Sequence, residues 1–153
     1  MIRKARREEN MIAKLELELA CNEELAYQMS SLFHGVLMEL LPEEYAVELH
    51  YSKLHPYTQH LECRGKTWYW IITALNKQAV DIILKNALWN LEKIELKKKQ
   101  IVINIIGKQY IEMPYKQLME HFYHEEHGKY LQLHFISPTA FEQNGRYVFY
   151  PDI

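Results

Sequence analysis

Several things are scarce in this 153-residue chain. Cysteine occurs twice, as Cys21 and Cys63, too few for a disulfide framework, so two reduced thiols are expected. The five glycines are all isolated, which excludes a phosphate-cradling P-loop or a dinucleotide fingerprint. Aspartate occurs only as Asp81 and Asp152, so a two-metal nuclease built on aspartate clusters is not expected. No apolar run approaches the ~18 residues that a membrane span needs. The basic start is not followed by an apolar core, because MIAKLELELA alternates with charges, so a signal peptide is not expected either.

What is present is ordinary globular composition, 48% hydrophobic and 25% charged, enough for one domain with a real core. Tyrosine is abundant at 11 residues. The formal net charge of -2 does not announce a polyanion partner. Basic residues gather at the start (Arg3, Lys4, Arg6, Arg7), and the body is mildly acidic. Residues 1–10 are polar and patternless and are expected to be a disordered extension ahead of Met11.

Over 11–20, Leu15, Leu17 and Leu19 alternate with Lys14, Glu16 and Glu18, which predicts a strand with one solvated face. Asn22 offers a helix cap, and a stripe from Leu25 to Leu41 predicts a helix over 23–41. Pro42 ends it and starts a short helix in its first turn. A loop over 52–57 follows. Strands are expected at 58–63 and 66–75 around a turn at Arg64 and Gly65, the second one apolar on both faces and therefore central. Asn76 caps a helix over 77–89. Strands at 92–96 and 100–106 flank the Lys97–Lys99 run, with 107–111 as an extension. A helix after Pro114, a strand over 129–136 and a short strand at 147–149 complete the reading. The order strand, helix, strand, strand, helix, strand is the ferredoxin-like α+β arrangement, an antiparallel sheet with both helices on one face. The fold alone implies no function. The link between the first helix and the second strand is unusually long, a common property of functional loops.

That link holds His50, Lys53 and His55, flanked by Tyr45, Tyr51 and Tyr57. Histidine exchanges protons near neutral pH, and a nearby lysine can offset charge on a phosphate. The set suits metal-free RNA cleavage; the plainer alternative is an exposed loop histidine beside solvated lysine. His34 lies at the edge of the first helix's apolar stripe, followed by Gly35, and reads equally as a hydrogen-bonded core-edge residue. His60 lies further along in the next strand. His121, His124 and His127 are spaced three and three, which does not fit a zinc-protease pattern, and a solvated helix end is the better reading. The Lys97–Lys99 run reads as a charged turn.

Two stretches, LFHGVLMELLPEEYAVELHYSKLHPYTQHLE and FISPTAFEQNGRYVFYPD, together resemble the CRISPR-associated endoribonucleases that process repeat RNA, in the RAMP superfamily of ferredoxin-like RNA binders. TWYWIITALN before an amphipathic helix fits the same pattern. The resemblance implies a metal-independent cut in precursor CRISPR RNA, leaving a 2′,3′-cyclic phosphate and a 5′-hydroxyl, with no cofactor. It implies His50, Lys53 and His34 as catalytic residues, and Tyr57, His55, Arg64 and Lys66 as RNA contacts. It implies a ferredoxin-like RAMP domain over 11–136, and 137–153 as a linker and strand leading to a second such domain that this chain lacks. Expected partners are CRISPR repeat RNA, with other effector-complex subunits and a homodimer as further options, in the prokaryotic cytoplasm and without a membrane. The alternatives are a non-catalytic RAMP subunit that only holds CRISPR RNA, or a ferredoxin-like module for small molecules or protein partners.

Overall fold

A computed structural model describes residues 11–124, 132, 141–143 and 146–148. The extension over 1–10, the strand over 129–136, the expected boundary at 136–137 and His127 lie outside the described residues. The chain divides into two compact units, 1–122 and 123–153.

The first unit is built on a five-stranded antiparallel sheet. Its strands are β1 (Met11–Ala20), β2 (Tyr57–Arg64), β3 (Thr67–Ala74), β4 (Lys93–Leu96) and β5 (Ile101–Pro114), in the spatial order β2-β3-β1-β5-β4. The four strands β2-β3-β1-β5 carry the ferredoxin-like order, with β3 central as its apolar sequence requires. The short strand β4 is an addition at the edge, paired with β5. The expected 107–111 extension is one continuous strand with 101–106, kinked by a bulge opposite Glu18 and Leu19. In the hairpin between β2 and β3, Gly65 supplies a positive φ of 67° at the first of two loop residues, Gly65 and Lys66.

Helix α1 (Ser30–Leu40) and helix α2 (Glu43–Tyr51) follow β1; helix α3 spans 77–88, and α4 (Tyr115–His124) follows β5. One face of the sheet takes the inward residues of α1, α2 and α3. Leu15, Leu17, Leu19, Phe33, Leu37, Leu49, Trp70, Ile83 and Leu84 form a single buried cluster. Phe33 and Trp70 meet edge to face at 5.2 Å, a contact worth about 1 kcal/mol beyond burial. In α3 the first turn, Lys77–Ala79, is α-helical and Val80–Leu88 winds wider as a π-helix, still burying Val80, Ile83, Leu84 and Leu88.

The first helix begins later than its sequence pattern suggests. Residues 21–26 stay extended or bent, a 3-10 turn forms at Tyr27–Met29, and α1 starts at Ser30. The reason is Leu25, which is buried in the core from a loop rather than from a helix face. Asn22 therefore caps nothing. Pro42 stands one residue before α2, and its carbonyl accepts the amide of Ala46 at 2.9 Å. Glu16 also departs from its expected solvated position: it is 5% exposed. In the second unit, β6 (Phe141–Gln143) and β7 (Arg146–Val148) form an antiparallel hairpin where a single strand at 147–149 was expected.

Candidate functional site

Helix α1 buries Phe33 against the sheet and carries His34, one residue on, at its flank towards β2. Tyr57 opens β2, and its register opposite Ala74 points it to the helical side of the sheet. There its hydroxyl lies 2.8 Å from His34 Nε2 and donates towards Met38 Sδ at 3.7 Å. Met38 follows His34 by four residues, so both sit on one helix flank. His55 comes two residues before Tyr57, across Pro56. Its ring stacks on Tyr57 at 5.9 Å and 9°, while the His34 and Tyr57 rings are 6.2 Å apart at 10°. Three nearly parallel rings, drawn from a helix, a loop and a strand, thus converge on one spot.

Burial sets the protonation of two of them, His34 and Tyr57. It lowers the pKa of His34 from its ordinary 6.5, helped by repulsion from His55, so His34 is neutral at neutral pH. Burial also pushes the Tyr57 phenol up, so it keeps its proton. Tyr45 on α2 lies in the core with its phenol pushed up by burial and by the nearby Glu48 and Tyr57. Its hydroxyl has no hydrogen-bond partner among the described residues.

The structure thus gathers His34 with Tyr57 and His55, a partner that sequence spacing had left apart from that pair. Among the described residues, His50 and Lys53 make no hydrogen bond or ring contact with these three. His50 is exposed at the end of α2, with its ring edge against Tyr51 at 5.3 Å. Lys53 is exposed in the loop that the Ser52 hydroxyl braces by donating to the Leu54 carbonyl at 2.7 Å. Arg64 and Lys66 lie at the far end of β2, about 20 Å from Tyr57 at the usual strand rise. Arg64 is fully engaged there: it donates to Glu16 at 2.7 and 3.2 Å and to Glu62 at 3.0 and 3.1 Å, and covers the Tyr69 ring at 4.7 Å. Lys66 borders a cavity of about 510 Å³ with Trp68, Asn22, Glu18, Glu23 and Glu24. His60 is exposed near Glu62, at 3.9 Å. Among the described residues no three potential metal ligands come together.

No protein-family model matches this chain. Among curated proteins, it is 32% identical over 123 residues to the CRISPR-associated endoribonuclease Cas6 of two Mycobacterium tuberculosis strains. It is 27% identical over 134 residues to the CRISPR-associated endoribonuclease Cas6 of Streptococcus thermophilus. The chain is thus similar to part of each of these relatives. The matches cover 78% and 84% of this chain but 38% and 52% of the Cas6 relatives, so the chain spans at most about half of their length.

Sequence reasoning missed Met38 as the second partner of Tyr57 and the orphaned hydroxyl of Tyr45. The first was readable, since positions 34 and 38 share a helix flank. The second was not, because no local pattern tells which tyrosine loses its water. Among the described residues, no helix is long and apolar enough to cross a membrane.

Proposed function

We propose that this chain is the ferredoxin-like, N-terminal part of an endoribonuclease that cuts CRISPR repeat RNA without a metal ion, with residues 137–153 leading towards a second domain. Homology to Cas6 over 78% of the chain carries this reading. The ring cluster on α1 and β2 supports it, because it holds a neutral histidine beside the short exposed loop over 52–56.

In the reaction, a ribose 2′-oxygen attacks the adjacent phosphorus. The new 2′-O–P bond forms as the P–O5′ bond breaks, leaving a 2′,3′-cyclic phosphate and a 5′-hydroxyl. A base must take the 2′ proton, an acid must return one to the 5′ oxygen, and a cation must offset the phosphorane charge. His50 is the first proton-transfer residue, and Lys53, three positions on, supplies the positive charge. His34 is the second: being neutral, it can accept a proton, and Tyr57 fixes its ring through the 2.8 Å bond. His55, exposed on the stack, contacts the RNA. Lys66, unpaired among the described residues, offers a cation further along, whereas Arg64 is already held by two carboxylates.

The test is cleavage of repeat RNA by the protein in its full reading frame, in the presence of EDTA. Product with a cyclic phosphate end is expected, with cleavage abolished in His50→Ala and slowed by roughly 100-fold in His34→Ala, the scale of one general acid or base. Loss of cleavage in EDTA, or full cleavage by His50→Ala, would overturn the reading. Tight binding without any cleavage would favour the non-catalytic RAMP subunit.

A further inference from the structure

Helix α1 has two flanks. On one, His34 and Met38 meet Tyr57. On the other, Leu32, Val36 and Glu39 face Leu96, Lys97 and Lys98 across a groove of about 190 Å³, with Ser31 and Gly35 on its helical rim. Two features of this groove have no explanation inside the fold.

The first is Gly35. It is exposed in the middle of a helix, where glycine is unfavourable relative to alanine. Its φ is not positive, and a Cβ built there would meet no atom within 4 Å. Neither backbone conformation nor packing within the described chain calls for glycine. The second feature is the lysine turn. Lys97 is clipped to α1 by its bond to Glu39 at 2.9 Å. Glu95, the other carboxylate on the groove, is paired with Lys93 at 2.8 Å. The groove's acids are thus matched, and exposed Lys98 and Lys99 remain without an ion pair among the described residues. A left-handed Gln100, with φ of 55°, closes the turn and holds this short run against the helix.

We propose that single-stranded RNA crosses α1 at Gly35, running from the His34–Tyr57 flank to the lysine turn, where Lys98 and Lys99 neutralise backbone phosphates. This path rests on the RNA-cutting reading above and adds the route of the strand away from the proton-transfer residues. A bare helix surface at Gly35 lets the sugar-phosphate backbone lie against the main chain with no side chain between them. The two flanks are one helix width apart, about 10 Å, a distance a strand of a few nucleotides bridges. Charge complementarity selects the occupant: an otherwise acidic body presents two uncompensated cations beside a flat helix face, a match for a polyanion rather than for an apolar peptide.

The experiment measures affinity for single-stranded repeat RNA against salt, for the protein in its full reading frame. Gly35→Gln suits a helix and has open space around it, so its thermal midpoint should not fall, yet its affinity should drop by about tenfold. The double variant Lys98→Gln/Lys99→Gln should bind more weakly, with a log–log salt slope shallower by about 1.4, the value for two single-strand phosphates. Removing two charges on α3, in Lys77→Gln/Lys85→Gln, should leave the slope unchanged. If the unaltered protein has no RNA affinity even in low salt, the RNA reading itself fails and this path with it. If it binds RNA but Gly35→Gln and the double lysine variant bind with the same affinity and slope, the crossing alone is overturned.

Discussion

Glu16 is held in a strong electrostatic contact. It sits on β1 among alternating charges, yet is 5% exposed on the face turned away from Leu15 and Leu17. The Arg64 guanidinium holds its carboxyl down to about 2, from an ordinary 4.5, against a desolvation cost; Lys14 at 2.8 Å helps. A carboxylate with a depressed pKa stabilises the fold fully above its unfolded value and loses that contribution as pH falls through the folded one. Stability should therefore decline between about pH 4.5 and 2 as Glu16 takes up its proton. Arg64 is partly open to solvent, which screens the pair, so Glu16→Gln should cost about 2 kcal/mol at pH 7 rather than the full electrostatic value. Urea titrations at pH 7 and pH 3 check both points: the variant should start weaker and show a flatter acid limb. None of this was readable along the chain. Period-2 alternation placed Glu16 on a solvated face, and the family resemblance made Arg64 an RNA contact. The two meet because β3 brings β2 close to β1, 48 residues apart in sequence.

At the scale of elements, two asparagines looked alike and behaved differently. Asn76 caps α3, its side chain accepting the amide of Ala79 at 2.8 Å, as its position before an apolar stripe predicted. Asn22 occupies the same kind of place and caps nothing, because the chain spends residues 21–26 putting Leu25 into the core. Asn76→Ala should cost about 1 kcal/mol and lower the thermal midpoint by about 3–5 °C. Asn22→Ala should stay within about 0.5 kcal/mol of the unaltered protein. Thermal melts followed by circular dichroism separate the two. Capping is a local signal, so it can be read from sequence; whether the helix starts there depends on what the next apolar residue packs against.

At the scale of the whole molecule, one core couples the sheet to the candidate site. Phe33 is fully buried against Trp70, and His34 is its immediate neighbour. Phe33→Ala should cost about 3–5 kcal/mol through lost contact and cavity formation, read as a lower urea midpoint with an unchanged slope. The proposed RNA cleavage should fall with it below the unfolding midpoint, because the flank holding His34 is positioned by this packing. The sequence by itself determined the α+β class, the alternation of β1, the apolar centre of β3 and the amphipathic stripes of α1 and α3. Those are periodicities of 2 and 3.6, properties of neighbouring residues that survive without knowledge of the fold. Only the tertiary structure decided that His34 meets Tyr57, on which His55 also stacks, that β4 adds an edge strand, and that Arg64 answers Glu16. Each of these joins segments distant in the chain, and which distant segments touch is set by how the layers pack, a choice that local hydrophobic pattern leaves open.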